Sequence, residues 1–360
     1  IVTTMKWFFK KLIMYKRKIG LAIILIITAI GFYFTYAFYR VFFFPNTSFN
    51  NEISYVFITT DSSVNALMDD LSPLLKSPED FLVAAQKKGY LDRIRGGKYA
   101  IQKGMNNNAI INNLRVESLP VMVTFNNQER LANLAGRLAS QIEADSLSLI
   151  QQFLATDFLT ENSFTPETAL AMYLPNSYEF FWNTSAQDFQ SRMLKEYKRF
   201  WTPKRLAAAK EKGLTPIEVI ILASIVHKET AKVEERPAIA QVYLNRLRKR
   251  MRLQADPTVI YALKREANDF AMVIRRVLKK DLKLKSPYNT YRVKGLPPGP
   301  ITMPDISAID AVLFPKEHNY LYFVVDPRKP GYHDFSKSLG EHNRKAQRYY
   351  RWLNQQRLYR

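Results

Sequence analysis

The sequence predicts an α+β protein in three parts: an N-terminal transmembrane helix, a small βααβ module and a mainly helical domain with few strands. Three observations support this class. Residues 19–39 carry no charge over 21 positions. Residues 52–115 have the pattern strand, helix, helix, strand, and residues 116–360 contain several helices with strong start signals. The absence of cysteine excludes disulfides, a thiol nucleophile and metal sites of the cysteine type.

The uncharged segment 19–39 is predicted to cross a membrane as one helix. About 20 apolar residues span a hydrocarbon core, and a helix satisfies its backbone hydrogen bonds internally. The preceding tail, residues 1–18, contains six basic and no acidic residues, so the positive-inside rule predicts a cytoplasmic N-terminus. The chain after residue 45 is then expected outside the cytoplasm. A cleaved signal peptide is the alternative, but the apolar run is long and no A-x-A site follows.

The formal net charge of +21 suits an anionic partner such as a membrane surface or an acidic polymer. The other interpretation is that the charge serves only solubility and topology. Because most of the chain is expected outside the cytoplasm, no nucleic-acid partner is predicted. The sequence contains no glycine loop for nucleotides, no G-x-S-x-G and no H-E-x-x-H, so neither a metal nor another cofactor is predicted.

The small module, residues 52–115, is predicted from alternating strand and helix signals. Strands are expected at 54–60 and 96–104, and helices at 61–75 and 77–89. A short helix follows in "NNNAIINNLR".

The remaining chain is predicted to form a mainly helical domain over residues 116–360. Strands are expected at 119–125 and 321–326, and helices at 128–143, 145–157, 164–172, 186–201, 215–230, 235–249, 263–282 and 341–357. The helix from Thr215 has the strongest signals, because Thr215 and Glu218 form a capping box and the body "IEVIILASIV" is apolar almost all round. We therefore expect this helix to be buried.

Glu229 lies at the end of that apolar helix, directly after His227 and Lys228. Burial would raise the pKa of its carboxyl group, and a carboxyl that stays protonated near neutrality can act as a general acid. The alternative is an ordinary surface glutamate at a helix C-terminus. Position alone does not decide between the two interpretations.

Polar residues also stand among apolar and aromatic ones in "YLNRL", "LQADPTVIYAL" and "SPYNTYRVKGLPPGPI". Amide and hydroxyl groups beside aromatic faces are typical of a sugar-binding groove, but also of loops. Three further stretches accompany them: "LASIVHKETAKVEERPAIAQ", "LYFVVD" and "HDFSKSLGEHNRKAQ". In these motifs, and in their order and approximate spacing, the sequence resembles the YceG-like family of endolytic murein transglycosylases. The resemblance runs from the membrane helix to the C-terminus and is strongest from about residue 173 to 347.

The resemblance implies a single-pass protein of the bacterial inner (cytoplasmic) membrane, with a LysM-like module at 52–115 and a periplasmic catalytic domain at 116–360. It implies cleavage of the MurNAc-β-1,4-GlcNAc bond in nascent peptidoglycan strands, with 1,6-anhydroMurNAc ends as products, and a partnership with peptidoglycan synthases that ends strand growth. The glutamate of the family's "K-E-T" triplet corresponds to Glu229. Eight further positions match family motifs and are expected to bind substrate: Asn245, Arg246, Gln254, Asp256, Thr258, Tyr288, Asn289 and Thr290.

Two alternatives to this function stay open at the level of sequence. One is a membrane-anchored peptidoglycan-binding protein without activity. The other is a hydrolytic muramidase that uses water and a second carboxylate, with Glu234, Glu235 and Asp256 as candidates. Arg246 has a structural alternative, in which it pairs with Glu234 or Glu235. Many family members have glutamate where this chain has His227, and helical geometry predicts that position 227 faces away from Glu229, in a packing or supporting role.

Overall fold

The computed structural model describes residues 2–116 and 118–355 and forms two compact units. The first comprises Ile1–Val121 with Phe181–Asn183, and the second comprises Met122–Phe180 with Thr184–Arg360. The first unit extends past the predicted module because Leu119 donates its backbone N–H to the carbonyl of Lys98, at 2.7 Å, and so adds a bridge to the module's sheet.

The first unit has the strand–helix–helix–strand order that the sequence predicts, preceded by a long helix. Its elements are α1 (Val2–Phe43), β1 (Ile53–Ile58), α2 (Val64–Leu71), α3 (Pro78–Lys87), β2 (Gly97–Gln102) and α4 (Asn107–Arg115). Strands β1 and β2 are antiparallel, with Ile53 opposite Gln102 and Ile58 opposite Gly97. Side chains of Ser63 and Ser77 cap α2 and α3. Whether this module is LysM-like stays a prediction.

Helix α1 contains one stretch, Met5–Phe43, that is long and apolar enough to cross a membrane, judged by length and composition. Its C-terminal end is tied to the module by an asparagine pair. Asn107 donates from Nδ2 to the carbonyl of Val41 at 2.7 Å, and Asn46 donates to Asn107 Oδ1 at 2.7 Å. Asn46 and Asn107 are both buried, so this polar contact fixes where the helix meets the module.

The second unit is mainly helical, and its strands form two-stranded sheets. Its elements are β3 (Pro120–Phe125), α5 (Leu131–Ala139), α6 (Ser146–Phe153), α7 (Thr156–Glu161), β4 (Asn176–Phe181), α8 (Ala186–Phe200), α9 (Pro203–Glu211), α10 (Pro216–Glu229), α11 (Arg236–Arg248), α12 (Asp256–Glu266), α13 (Ile306–Leu313), β5 (Tyr322–Val325), β6 (His333–Ser336) and α14 (Leu339–Gln355). Strand β3 pairs with β4, and β5 is antiparallel to β6.

Helix α10 is the centre of the second unit, as its composition predicts. Eight consecutive residues, Val219 to Val226, are buried, and α10 packs against α11, α12 and α13. The predicted capping box is present: the Thr215 hydroxyl accepts from the Glu218 N–H, and the Glu218 carboxylate accepts from the Thr215 N–H at 2.8 Å. A helix that is apolar on every side can be stable only inside a core, so its end is held rigidly.

The predicted basic helix over 263–282 is wrong. Helix α12 ends at Glu266, and Asn268 follows with a left-handed backbone (φ 47°). Residues 267–280 form a loop, and only Asp281–Lys283 make a short 3-10 turn. The predicted helix over 164–172 is likewise reduced to a 3-10 turn at Ala169–Met172. The sequence pattern also did not predict β4, α9, α13 and β6, nor most of α7 and α12.

Gly299 is expected to be essential to this fold, because a Cβ atom there would lie 2.0 Å from the backbone oxygen of Glu167. Overpacking of this kind typically costs about 1–3 kcal/mol, so Gly299→Ala should lower the unfolding midpoint clearly. Gly136 in α5 is the matched control, since nothing lies within 4 Å of its added Cβ and alanine favours a helix interior by about 0.5–1 kcal/mol. Thermal unfolding of the full chain in detergent measures both. An unchanged midpoint for Gly299→Ala would contradict the close approach.

Candidate active site

Helix α10 delivers Glu229, its last residue, into a cleft of about 400 Å³. The helix stops there because Thr230 adopts an extended backbone. The side chain is partly exposed, whereas Val219–Val226, about two turns of the helix before it, are buried. The cleft is bounded by the ends of α10, α11 and α12, the β5–β6 hairpin and α14. Glu229 therefore combines a rigid support with access to a ligand.

The surroundings of the Glu229 carboxyl group raise its pKa to about 7. Burial is the largest cause, and the nearby Asp256 carboxylate acts in the same direction, whereas the Tyr243 hydroxyl, His333 and Arg246 lower the pKa and so limit the rise. Tyr243, fully buried on α11, donates its hydroxyl hydrogen to Glu229 Oε1 at 2.5 Å. This bond leaves Oε2 as the oxygen that is available to a ligand. A carboxyl that is about half protonated near neutrality has the property required of a general acid.

A second carboxylate, Asp256 at the start of α12, lines the same cleft. The hydroxyl of Tyr291 donates to its Oδ1 at 2.6 Å. Burial and the bond to Asp256 raise the pKa of Tyr291 far above its usual value, so the phenol stays neutral. Gln254, which precedes α12, also lines the cleft and has a left-handed backbone (φ 49°). These groups supply donors and acceptors beside the acid.

Arg246 lies under the cleft and holds its walls together. Its Nε donates to the carbonyl of Leu321 and its Nη1 to that of Leu253, both at 2.6 Å. Its guanidinium carbon lies 5.1 Å from the centre of the Tyr322 ring. The alternative pairing with Glu234 or Glu235 is absent from the ion pairs of the described residues. Arg246 therefore combines a structural role with a position in the cleft.

The opposite wall of the cleft comes from the C-terminal part of the chain and is apolar and aromatic. It consists of Tyr322, Phe323, Val324, Val325, Leu339, His342, Ala346 and Tyr350. Aromatic and aliphatic faces opposite hydrogen-bonding groups are the usual composition of a ligand site.

Five of the eight predicted substrate-binding residues do not line this cleft; their side chains are buried and bonded within the chain. Asn245 donates to the carbonyls of His318 and Tyr320. The Thr258 and Thr290 hydroxyls bond each other at 2.8 Å, and Asn289 donates to the carbonyls of Leu282 and Leu284. Tyr288 packs against Tyr261, with ring centres 4.8 Å apart. We infer that these five position the loops from which the cleft is built.

His227 lies away from the cleft, on the side of α10 that faces Asp305. Its Nδ1 is 3.3 Å from Asp305 Oδ2, and Arg236 donates to the same oxygen at 3.0 Å. Burial lowers the pKa of His227, which the Asp305 carboxylate partly opposes. This placement fits the packing or supporting role that the helical spacing predicts.

Sequence reasoning missed the tyrosines and histidines of the cleft, which are Tyr243, Tyr291, Tyr322, His333, His342 and Tyr350. In the sequence, the spacing of Tyr243 with Ile239, Val242 and Leu247 predicts only the apolar face of a helix. Its spacing could not reveal the bond to Glu229, since that bond requires α10 and α11 to pack together. His333 stands in "HDFSKSLGEHNRKAQ", one of the family motifs, which was the available signal.

The structure also contains a second cavity, and its side-chain groups bear on whether the chain could bind a metal ion. A larger cavity of about 930 Å³ lies at the N-terminal half of α10, beside Glu218, Gln241 and Arg248, and does not include Glu229. Among the residues that the structure describes, no group of three or more histidine and carboxylate side chains could hold a metal ion.

A partly exposed acid at the end of a buried helix, in a cleft with an aromatic wall, defines a site of the carboxyl acid–base class. The comparisons with known proteins give the family of the chain. The model of the YceG-like family matches residues 56–348, and the chain belongs to that family.

Curated relatives support the same assignment. The endolytic murein transglycosylase of Bacillus subtilis is 30% identical over 311 residues, which cover 81% of this chain and 83% of that protein. The endolytic murein transglycosylase of Streptococcus pneumoniae is 27% identical over 86% of this chain. The match covers 60% of the length of the S. pneumoniae protein.

A solved structure is also similar. The crystal structure of a YceG-like protein from Listeria monocytogenes is 27% identical, with a TM-score of 0.54, and the match covers 82% of this chain and 99% of that one.

The raised pKa of Glu229 predicts a pH-dependent gain in stability for Glu229→Gln. An ordinary glutamate titrates near 4.5 and the folded Glu229 near 7, so the parent protein loses stability as pH rises through this window. Gln does not ionise and still accepts from Tyr243. At about 1.4 kcal/mol per pKa unit, the variant should match the parent below the window and exceed it by roughly 3 kcal/mol above it. Chemical unfolding at both pH values measures this, and equal stability above the window would contradict the buried acid.

Proposed function

We propose that this chain is a membrane-anchored peptidoglycan lytic transglycosylase in which Glu229 is the general acid and base. The observation that carries the proposal is the partly exposed Glu229 carboxyl, whose pKa is raised to about 7 in an aromatic-walled cleft. The names and extent of similarity of the curated relatives support the substrate, peptidoglycan. Hydrogen-bonding side chains opposite aromatic faces, as in this cleft, suit a sugar chain.

The chemistry begins with proton transfer from Glu229 to the glycosidic oxygen between MurNAc and GlcNAc. The C1–O bond breaks as this oxygen is protonated, and positive charge develops at C1 of the muramyl residue. The muramyl 6-hydroxyl attacks C1 and yields the 1,6-anhydro end. The Glu229 carboxylate then accepts the hydroxyl proton and is restored. One carboxyl group is sufficient because the nucleophile belongs to the substrate, whereas hydrolytic glycosidases commonly use two.

The proposal includes anchoring by α1, whose apolar stretch Met5–Phe43 is long enough to cross a membrane. The six basic residues of the tail, residues 1–18, support an N-terminus in the cytoplasm, and the second unit would then lie on the outer side, beside the cell wall. In that location the enzyme would cut nascent strands close to the peptidoglycan synthases that make them, and would end strand growth.

A hydrolytic muramidase is the second candidate, because Asp256 lies in the same cleft and could activate a water molecule. The other two carboxylates that the sequence suggested are engaged elsewhere. Glu235 bonds to His333 and Thr230, and Glu234 accepts a hydrogen bond from Tyr332. Asp256 itself accepts a hydrogen bond from Tyr291, which leaves its second oxygen for water.

A peptidoglycan-binding protein without activity is the third candidate. The presence of the Glu229 carboxyl group in a formed cleft disfavours it.

Glu229→Gln should abolish product release from peptidoglycan sacculi while leaving the fold intact. General acid catalysis typically contributes about 10²–10⁴-fold, so activity should fall by at least two orders of magnitude. Glu266→Gln is the matched control, because Glu266 is exposed at the end of α12 and undergoes the same change. Liquid chromatography of soluble muropeptides measures both variants. Near-parental activity of Glu229→Gln would refute the assignment.

The mass of the new glycan ends distinguishes the candidates. The lyase reaction should give anhydro ends, one water lighter than the reducing ends that hydrolysis gives. We expect anhydro ends from the parent, and we expect Asp256→Asn to reduce the rate without changing the product. Reducing ends that disappear in Asp256→Asn would establish the muramidase instead, and the absence of products from an intact parent would favour the binding protein.

A further inference from the structure

The buried carboxylate of Glu235 has no part in the reaction derived above. Glu235 is 6% exposed and ends the short 3-10 turn that precedes α11. Its Oε1 accepts the backbone N–H of His333 at 2.6 Å, and its Oε2 lies 2.8 Å from His333 Nδ1 and accepts from the Thr230 hydroxyl at 3.2 Å. A buried charge is costly unless it is paired and hydrogen-bonded. Here the partner of the buried carboxylate is one histidine that lines the active cleft.

The contact between His333 Nδ1 and Glu235 Oε2 orients the imidazole ring and determines which ring nitrogen faces the carboxylate. A carboxylate only accepts hydrogen bonds, so the ring nitrogen that faces it, Nδ1, carries the hydrogen. In the neutral ring Nε2 is then an acceptor with a free lone pair. Nε2 has no hydrogen-bond partner among the described residues. The ring is held further by Phe323, edge to face at 5.1 Å, and by the pairing of His333 with Val325 across the β5–β6 hairpin.

The cleft thus contains a carboxyl group held by Tyr243 and an imidazole held by Glu235. Tyr243 occupies Oε1 of Glu229, so Glu229 offers the substrate a single oxygen for two proton transfers at two different substrate oxygens. We propose that Nε2 of His333 accepts the proton of the attacking hydroxyl group, with Glu235 as the positioning residue that orients the ring. This inference rests on the proposed function, since it divides the work of that same site between two residues.

The proposed step balances without an additional reactant. Glu229 gives its proton to the glycosidic oxygen, and the bond from C1 to that oxygen breaks. The 6-oxygen of the same muramyl residue forms its bond to C1, and its proton passes to His333 Nε2. The site then contains a carboxylate at Glu229 and an imidazolium at His333. Transfer of one proton from His333 to Glu229, through water in the cleft, restores the starting state.

His333→Asn is the sharpest test, because the asparagine amide can keep an N–H near the position of Nδ1, and so keep the bond to Glu235, while Nε2 is removed. We expect kcat to fall by about 10²–10⁴-fold with KM little changed, and added imidazole to restore part of the lost activity. Should this variant not fold, His333→Gln serves in its place; its amide cannot accept a proton, so the same loss is expected. Glu235→Gln should reduce kcat by about 10–100-fold, as expected when a ligand-orienting partner is lost.

His318→Gln is the matched control, because His318 bonds the carbonyl of Ala238 and lies outside the cleft; its kcat should stay at the parental value. A kcat within threefold of the parent in His333→Asn or His333→Gln would overturn the assignment of His333 as a base. Loss of activity without any rescue by imidazole would overturn it too, since a purely structural defect predicts that result. Activity that survives in Glu229→Gln would instead refute the proposed function itself.

Discussion

The burial of α10 on all sides is the constraint on which the cleft around Glu229 depends. Eight consecutive residues of this helix lie in the core, so the helix can neither rotate nor slide without exposing apolar surface, at about 25 cal/mol per Å². Its last residue, Glu229, is thereby fixed against Tyr243 of α11. Because both helices belong to the same core, the acid and its hydrogen-bond donor are positioned by hydrophobic packing, and the 2.5 Å bond between them follows from that packing.

The polar residues around the cleft fall into two groups, those that line it and those that are buried behind its loops. Asn245, Thr258, Asn289 and Thr290 bond loop backbone or one another in the interior, and each is almost fully buried. Loss of such a residue would leave buried donors or acceptors unpaired, at about 1–3 kcal/mol for each group. The loops that present Gln254, Asp256 and Tyr291 are therefore fixed by hydrogen bonds that never meet the ligand, which explains why a motif can contain more polar residues than the site uses.

Much of the fold could be predicted from local sequence, while the completed site could not. The capping box at Thr215 and the apolar body of α10 are local signals, and they located Glu229 correctly at the helix end. The segment 263–282 has helix-forming residues, and this composition predicted a helix there. The chain instead adopts a left-handed backbone at Asn268, and no local sequence signal marks that break strongly enough to override the helix prediction. The bonds from Tyr243 to Glu229 and from Glu235 to His333 join residues 14 and 98 positions apart. Such pairs arise from tertiary packing, which periodicity does not encode.

The acid also shows why this site is costly to maintain. A carboxyl whose pKa is raised to about 7 lowers the stability of the folded state at neutral pH relative to an uncharged amide of the same shape. The Tyr243 bond, His333 and Arg246 oppose that rise and limit the loss. This loss of folding stability would disappear only with more water around Glu229 or with a positive charge closer to it. Either change would lower the pKa of Glu229 and leave the carboxyl group ionised at neutral pH. The same desolvation therefore makes the acid useful and the fold less stable, and the large core around α10 is what tolerates it.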